Sequence, residues 1–223
     1  KRGYDHMQLT QPQVMAKLRA GSFAEEVYLL CERYTRKTAD DGKAEDAAGH
    51  GDLMSLPPKM HYALQTIVGC TQERFSSPLD ACWGYSNYWT YERRDQVFGA
   101  SHDAYSVVWT GASTAFPNMN TAAATKATEW AIKSAASTDL PTLTVLILPS
   151  FFRDMHDLKY LQTAMQHRKY CHLLGTIPRN AMHLVTPAHL PYTPLKQPKW
   201  QYHILAVGNV EGFRKHMPLQ DSF

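Results

Sequence analysis

The sequence lacks the signatures of several common functional classes. No Gly-x-Gly-x-x-Gly segment is present, so the dinucleotide-binding fingerprint is absent. No serine lies in the Gly-x-Ser-x-Gly pattern of a hydrolase nucleophile elbow. No apolar run approaches the roughly 20 residues that cross a membrane. These absences argue against a classical NAD-dependent enzyme, a serine hydrolase and a membrane-spanning chain.

Cysteine is scarce, and the excess of positive charge is small. No Cys-x-x-Cys pair occurs, so we expect free thiols in an intracellular, reducing compartment rather than a zinc knuckle. His183 and His189 match no recognised ligand spacing, and we expect no metal site. The 23 basic and 20 acidic residues leave a net charge of +3, which indicates a polyanionic partner only weakly. The cysteines are Cys31, Cys70, Cys82 and Cys171.

A strand–loop–helix–strand unit lies at the centre of the chain. Residues 104–109 and 143–149 are short, apolar and rich in β-branched side chains, which predicts two buried strands. Between them, small and apolar residues recur at helical spacing from 123 to 134, which predicts an amphipathic helix. Strands joined in this way are parallel, and ligands bind beyond their carboxyl ends. We therefore expect the loop at residues 111–120 to carry the chemistry.

The rest of the pattern predicts a Rossmann-like α/β sheet with a helical N-terminal appendage. Residues 11–36 favour helix with a break at Gly21-Ser22, residues 38–55 favour a flexible linker, and Pro57-Pro58 opens another helix. We assign the appendage to residues 1–57 and the Rossmann-like domain to residues 58–223. Further strands are expected at 73–76, 171–174, 181–185 and 200–207, and a further helix at 155–165.

Five segments, taken together in their order, carry a resemblance to a known family. Residues 75–80 read Phe-Ser-Ser-Pro-Leu-Asp and residues 98–99 read Phe-Gly. They resemble the Phe-Ala-Ser-Pro-Leu-Asn and Phe-Gly segments of the phosphorylated-CTD-interacting-factor family. Residues 143–149 and 202–209 resemble the family's Ser-Phe-Ile-Val-Phe-Ile-Pro and Thr-Ala-Val-Leu-Phe-Leu-Gln-Asn strands. Residues 111–119 fall where the family has Gly-Ser-Phe-Glu-Ala-Asn-Pro-Pro-Phe.

The family consists of cap-specific adenosine N6-methyltransferases that use S-adenosylmethionine. The resemblance implies a Rossmann-like methyltransferase fold, a nuclear location (an organelle stays open) and an RNA partner. It also implies that the cofactor, if it binds, lies beside four residues of the first segment. The missing glycine fingerprint does not oppose this, because S-adenosylmethionine has no phosphate to cradle. The four residues are Ser77, Pro78, Leu79 and Asp80.

The loop at residues 116–119 departs from the family pattern. Where the family reads Asn-Pro-Pro-Phe, this chain reads Phe116-Pro117-Asn118-Met119. In adenine N6-methyltransferases the Asn oxygen and the first Pro carbonyl accept the two hydrogens of the base amine, and the aromatic ring stacks on the base. Phe116 cannot accept a hydrogen bond. Loss of one positioned acceptor should slow methyl transfer by about a hundredfold.

Three functions follow from this resemblance and its departures. The first is a non-catalytic RNA-binding or complex-scaffolding subunit, which binds no cofactor. The second is an active methyltransferase in which Asn118 supplies the acceptor and Phe116 the stacking ring, with S-adenosylmethionine as cofactor. The third is a purely structural subunit of a large assembly, whose cleft is plugged by side chains such as Phe116 or Trp83.

Two groups of side chains are candidates for contact with RNA. Trp83 belongs to an aromatic cluster that either stacks on bases or packs a helix against the sheet, and core packing is the favoured interpretation. Arg93-Arg94 either contacts phosphates or forms a solvated face. The other members of the aromatic cluster are Tyr85, Tyr88, Trp89 and Tyr91, and a second basic set comprises Arg153, Lys159, Arg168 and Lys169.

Overall fold

A computed structural model of the chain describes residues 23–41, 54–117, 120–150, 158–185 and 200–217, with residues 35–41 described by their backbone alone. These residues form a mixed α/β structure around one seven-stranded sheet, which confirms the predicted Rossmann-like class. Its strands are β1 (Gln72–Glu73), β2 (Asn87–Thr90), β3 (Ser101–His102), β4 (Gly111–Ala115), β5 (Thr142–Ser150), β6 (Cys171–Ile177) and β7 (Gln201–Gly208).

The strand order in the sheet is β3-β2-β1-β4-β5-β7-β6. The strands from β3 to β5 pair in parallel, and β7 pairs antiparallel with both β5 and β6. The last strand was expected to pair with the preceding candidate at 181–185, and that prediction is wrong, because β7 pairs with β6 instead. Dinucleotide-binding sheets have the strand order 3-2-1-4-5-6. The present sheet has the same order with one additional strand, the antiparallel β7, inserted between β5 and β6.

Five α-helices are present among the described residues. Pro58 occupies the first turn of the second helix as predicted, since a proline there loses no helical hydrogen bond. That helix continues as a π-helical turn at Leu64–Val68 and ends at Gly69, whose φ of 73° places it in the left-handed region. The helices are α1 (Phe23–Asp41), α2 (Pro58–Ala63), α3 (Thr121–Ala136), α4 (Lys159–Gln166) and α5 (Val210–His216).

The central β–α–β unit is present, but its first strand lies later in the chain than predicted. The prediction of a strand at residues 104–109 is wrong, because Ala104–Ser106 forms a 3-10 turn. The strand is instead β4, in residues that we assigned to the loop at 111–120. Small side chains can occupy this strand because β1 and β5 pair with it on both sides, and tertiary pairing outweighs strand propensity.

Apolar side chains pack on both faces of the sheet. Along β5, Leu146 and Leu148 belong to one cluster while Val145 and Ile147 belong to another, as alternation along a strand requires. The first cluster includes side chains of α3 and α4, and the second includes Leu64, where the π-helical turn begins. A sheet covered on both faces explains why every residue of β5 is buried.

The regions outside the central unit follow the predictions only in part. The helix predicted from residue 11 is present from Phe23 onward, and residues 11–22 lie outside the described residues. Of the predicted linker, residues 38–41 are helical and 42–53 lie outside the described residues. The residues predicted as a strand at 181–185 form no ladder with a named strand, and among the described residues Val185 makes an isolated bridge with Ser55. Among the described residues, no helix has the length and apolar content that a membrane span needs.

Candidate functional site

The strand order reverses between β1 and β4, which makes this position the switch point of the sheet. From β1 the sheet extends outward to β2 and β3, and from β4 it extends in the opposite direction to β5. Glu73 pairs with Thr114, so the segments that leave β1 and β4 start at the same edge of the sheet. Ligands of open α/β sheets bind in the crevice at such a point. The segment 75–80, which resembles the family, and the loop that starts at residue 116, which departs from it, both begin there.

The Ser77–Asp80 turn directs its polar groups toward itself. The Asp80 Oδ1 atom accepts hydrogen bonds from the Ser77 amide at 2.5 Å and from the Ser77 hydroxyl at 2.6 Å. The Leu79 amide donates to the Ser77 hydroxyl, and the Asp80 amide donates to the Ser77 carbonyl. Ser77 is buried, and burial raises the pKa of the Asp80 carboxyl group. These donors are therefore already used within the turn, and they fit a bound cofactor poorly.

A buried polar network lies beside this turn at the end of β1. The Glu73 carboxylate accepts a hydrogen bond from the Cys82 amide at 3.2 Å, and its other oxygen lies 3.9 Å from His61 Nε2. The other ring nitrogen of His61 contacts the Tyr85 hydroxyl at 3.0 Å. Burial raises the pKa of Glu73 to about 8 and lowers the pKa of His61 to about 4. Both side chains are therefore neutral over much of the range between these values.

Sequence analysis did not select Glu73 or His61, and it named Tyr85 only as a member of the aromatic cluster. One signal was available, because Glu73 is a charged residue at the start of the strand predicted at 73–76, two positions before the Phe75–Asp80 segment. Perturbed carboxyl groups at the mouth of a crevice are frequent at functional sites. The contacts with His61 and Tyr85 could not be foreseen, because they join residues that lie 12 positions apart on either side of Glu73.

A buried aromatic ring occupies the position that the resemblance aligns with the family's amine acceptor. Phe116 follows β4 directly, is 8% exposed, and lies with its ring centroid 5.9 Å from that of Tyr202. It belongs to the apolar cluster that includes Leu56 and Met182. Pro117 is also buried, whereas Asn118 and Met119 lie outside the described residues. The ring therefore contributes apolar packing at the place where the family has an acceptor.

The aromatic cluster at residues 83–91 divides between core and surface. Trp89 is buried, as core packing predicts. Trp83 is 97% exposed, so the prediction of core packing is wrong for this residue. The expectation that Trp83 plugs the cleft is wrong for the same reason. Its loop turns at Gly84, whose φ is 102°. Tyr85 and Tyr88 are half-buried and Tyr91 is exposed.

The two candidate arginines directly precede Asp95, which is buried. Arg93 is half-buried and Arg94 is exposed, and both belong to the 3-10 turn that follows β2. In the same turn, the Asp95 carboxylate accepts hydrogen bonds from Arg33 at 2.6 Å and from the Tyr34 hydroxyl at 2.7 Å. The turn that carries the arginines is therefore fastened to α1.

One buried cation was missed entirely by sequence analysis. Arg74 is 1% exposed, and its guanidinium carbon lies 4.2 Å from the ring centroid of Trp89 and 5.4 Å from that of Trp109. Its Nη2 donates to the Thr110 carbonyl at 3.2 Å. Burial lowers the pKa of Arg74 to about 9. The two aromatic faces replace part of the water that the cation has lost.

The described residues contain no group of three or more side chains arranged to hold a metal ion. His183 is exposed, and His189 lies outside the described residues. All four cysteines are free, with Cys70 and Cys171 buried.

The comparison with known protein families identifies one relationship. The sequence profile described as "Phosphorylated CTD interacting factor 1 WW domain" matches residues 6–183. The match covers more than half of the chain and includes β1 to β6, and with them both segments at the switch point. No curated protein matches the chain.

Proposed function

The chain belongs to the phosphorylated-CTD-interacting-factor family, and from this membership we propose that it is a non-catalytic, RNA-binding relative of the cap-specific adenosine N6-methyltransferases. The proposal has two parts. Methyl transfer is lost because Phe116, at the position that the resemblance aligns with the amine acceptor, has no oxygen to hold a base amine. RNA binding is kept through exposed side chains that follow β1 and β2.

The burial of Phe116 is the observation that carries the loss of catalysis. A base amine becomes a usable nucleophile when oxygen acceptors hold its hydrogens and aim its lone pair at the sulfonium methyl group. Phe116 offers no acceptor, and its ring packs against Tyr202. The rewired enzyme needs Phe116 free to stack on a base, and its 8% exposure disfavours that role.

The groups expected to bind the cofactor support the same proposal. The Ser77–Asp80 turn uses its amides and the Asp80 carboxylate in contacts with itself. A cofactor would have to break these bonds, and unmade hydrogen bonds of buried groups are costly. S-adenosylmethionine, when bound to a methyltransferase, supplies the methyl group and its sulfonium leaving group. We assign no step through it in this chain.

The RNA-binding part of the proposal depends on Trp83 and Arg94. An exposed indole is a platform for base stacking, which is worth about 1–3 kcal/mol per base. Trp83 follows the Ser77–Asp80 turn, and Arg94 follows β2, the strand next to β1. A guanidinium at this edge neutralises a phosphate and releases a counterion. The nuclear location implied by the family stays a prediction.

The loss of catalysis is tested by calorimetry and by a methyl-transfer assay. We expect no heat on titration of S-adenosylmethionine at millimolar concentration, and no transfer of radiolabelled methyl groups to capped RNA that contains adenosine. A family member with the Asn-Pro-Pro-Phe loop, assayed in parallel, is the positive control. Methyl incorporation above the level without protein would overturn the proposal.

The RNA-binding surface is tested by filter binding of the same capped RNA. We expect Trp83→Ala to weaken binding about tenfold, the effect of one lost stacking contact. Arg94→Ala should weaken it less and make binding less sensitive to salt. Leu140→Ala and Arg179→Ala are matched controls, because both residues are exposed and lie away from the switch point. Equal binding by the native chain and Trp83→Ala would refute this surface.

A further inference from the structure

β6 is an edge strand without the usual protection of an edge. It forms one end of the sheet and pairs with β7 alone among the described strands. Its sequence, Cys-His-Leu-Leu-Gly-Thr-Ile, contains no lysine, arginine, acidic residue or proline. Natural edges are normally blunted by such residues, because unpaired N–H and C=O groups are a template for another strand. In the part of the chain that the structure describes, a bulge at Leu173–Gly175 is the one protective device at this edge.

Apolar grooves flank this edge strand on both sides. Leu173 is 48% exposed and lines a groove of about 530 Å³ together with Leu161 and Met165 of α4. Leu174 is 45% exposed and lines a groove of about 670 Å³ together with Val210 and Phe213 of α5. A strand added beside β6 would direct alternate side chains to the two faces of the sheet. Each groove is therefore placed to receive every second side chain of such a strand.

The rims of the two grooves are basic. Arg168 borders the first groove, and Lys169 and Arg214 border the second. His172 lines both grooves and packs edge-on against Phe213, with ring centroids 4.8 Å apart. Glu211 pairs with Arg214 but is not among the lining residues. The charge of this surface therefore favours an acidic occupant.

We propose that β6 accepts an extended acidic segment of a partner protein as an eighth strand, with apolar side chains at alternate positions in the two grooves. Backbone hydrogen bonds to the edge would supply affinity, and the grooves and rim would supply specificity. A second copy of this chain is disfavoured, because pairing of β6 with β6 would bring the basic rims together. RNA is disfavoured, because it would leave the apolar grooves and the unpaired strand backbone unused. The proposal does not rest on the RNA-binding surface, which lies at the switch point.

A designed peptide tests the proposal directly. The probe has the length of β6 and carries consecutive valines at its centre, which point to the two grooves in turn, with glutamates at both ends; the control peptide has lysines in place of the glutamates. We expect calorimetry to show saturable binding of the first peptide and none of the second. Hydrogen exchange should show new protection of amides in residues 171–177. Leu174→Glu and Lys169→Glu should each weaken binding about tenfold, whereas Leu140→Glu, another exposed leucine, should leave it unchanged.

Three outcomes would overturn the proposal. The first is no saturable binding at millimolar peptide, or equal binding of the lysine peptide. The second is a native dimer in light scattering that Leu174→Glu converts to a monomer, which would identify a second copy as the occupant. The third is protection of residues 171–177 by RNA that excludes the peptide. Unchanged RNA binding by Leu174→Glu keeps this test separate from that of the proposed function and shows that the variant folds.

Discussion

Phe116 packs in an apolar cluster at the position that the resemblance aligns with the family's Asn. Its ring packs against Tyr202 within an apolar cluster, so Phe116→Ala removes buried area and leaves a cavity. We expect the free energy of unfolding to fall by about 3 kcal/mol. Urea denaturation measures it, with Phe23→Ala as control, because Phe23 is 42% exposed and should lose about 1 kcal/mol. Equal losses in the two variants would show that Phe116 is not a packing residue.

Glu73 makes stability depend on pH in a defined direction. Its pKa is raised to about 8 by burial, so the folded chain keeps the proton while the unfolded chain has lost it. The stabilisation is complete below the unfolded pKa and is lost as the pH rises through the folded value. Between pH 6.5 and 7.5 the free energy of unfolding should therefore fall by about 1.4 kcal/mol because of this one group.

Glu73→Gln isolates this contribution. The amide cannot ionise, so the variant should show a flatter profile above pH 6.5, measured by urea denaturation at several pH values. His61 acts in the opposite direction at lower pH: its pKa is lowered to about 4, so stability falls as the pH drops from 6.5 toward 4. Parallel profiles for the native chain and Glu73→Gln above pH 6.5 would show that Glu73 is ionised in the folded chain.

For single residues, the sequence shows the hydrogen-bonding capacity of a side chain but not how deeply that side chain is buried. The exchange of an acceptor for a ring at position 116 can be read directly, because hydrogen-bonding capacity belongs to the side chain. The burial of Phe116 and the 97% exposure of Trp83 could not be read. Both depend on contacts with distant residues, such as Tyr202 for Phe116 and Gln65 for the Trp83 backbone.

At the scale of elements, long periodic segments were predictable and short ones were not. The helix α3 and the strand β5 were confirmed, since each repeats its pattern over many residues. β4 was missed because its five small residues have weak strand propensity. Residues 104–109 suggested a strand, but Trp109 is buried in a loop whose backbone bonds to the Ser134 hydroxyl. The apolar run therefore indicated burial correctly for Ala104, Tyr105 and Trp109 but not for Val107 and Val108, which are exposed, and its predicted conformation was wrong.

Asn209 bonds to groups in three parts of the chain. Its removal should therefore lower the free energy of unfolding more than the removal of an ordinary helix cap does. Its side-chain oxygen accepts from the Gly212 amide in α5 and from the Thr142 amide of β5. Its amide nitrogen donates to the carbonyls of Thr138 and Leu140. We expect Asn209→Ala to lower the free energy of unfolding by about 3 kcal/mol, because buried polar groups lose their partners.

Asn120→Ala is the matched control for this prediction. Asn120 caps α3 by accepting from the Ala123 amide at 2.7 Å, but it is exposed and water can replace it. We expect a loss of about 1 kcal/mol in thermal or urea denaturation. If both variants lose the same amount, Asn209 acts as a cap alone and does not join the end of β7 to β5.

Across the whole molecule, the sheet class was predicted and the strand order was not. Alternation of helices and strands indicates a parallel α/β sheet, and the family resemblance implies the same class. The placement of β7 between β5 and β6 depends on eight pairings with β5 that no local pattern encodes. The packing of α1 against the rest of the chain is likewise a long-range effect.

Asp95 connects α1 to the sheet, and its removal should loosen α1 selectively. The carboxylate accepts from Arg33, Tyr34 and Thr90, and it is buried. Asp95→Ala leaves the Arg33 cation beside an apolar gap, and we expect a loss of about 3 kcal/mol. Hydrogen exchange should accelerate in residues 23–41 before it accelerates in β5.

Arg214→Ala provides the comparison at the surface. It removes the exposed pair between Arg214 and Glu211, and such pairs contribute less than about 1 kcal/mol. Exchange in α1 should stay at the native rate in this variant. Uniform acceleration throughout the sheet in Asp95→Ala would show that α1 and the sheet unfold as one unit.

The exposure of Trp83 also gives the unlabelled chain an optical property. Its indole lies in water, whereas those of Trp89 and Trp109 are buried beside the Arg74 guanidinium. Indoles in water emit at longer wavelength than indoles in an apolar core, so acrylamide will quench the red side of the intrinsic fluorescence first. A nucleobase stacked on Trp83 will quench the same red component and protect it from acrylamide. Occupancy of this surface can therefore be followed by emission from the chain itself.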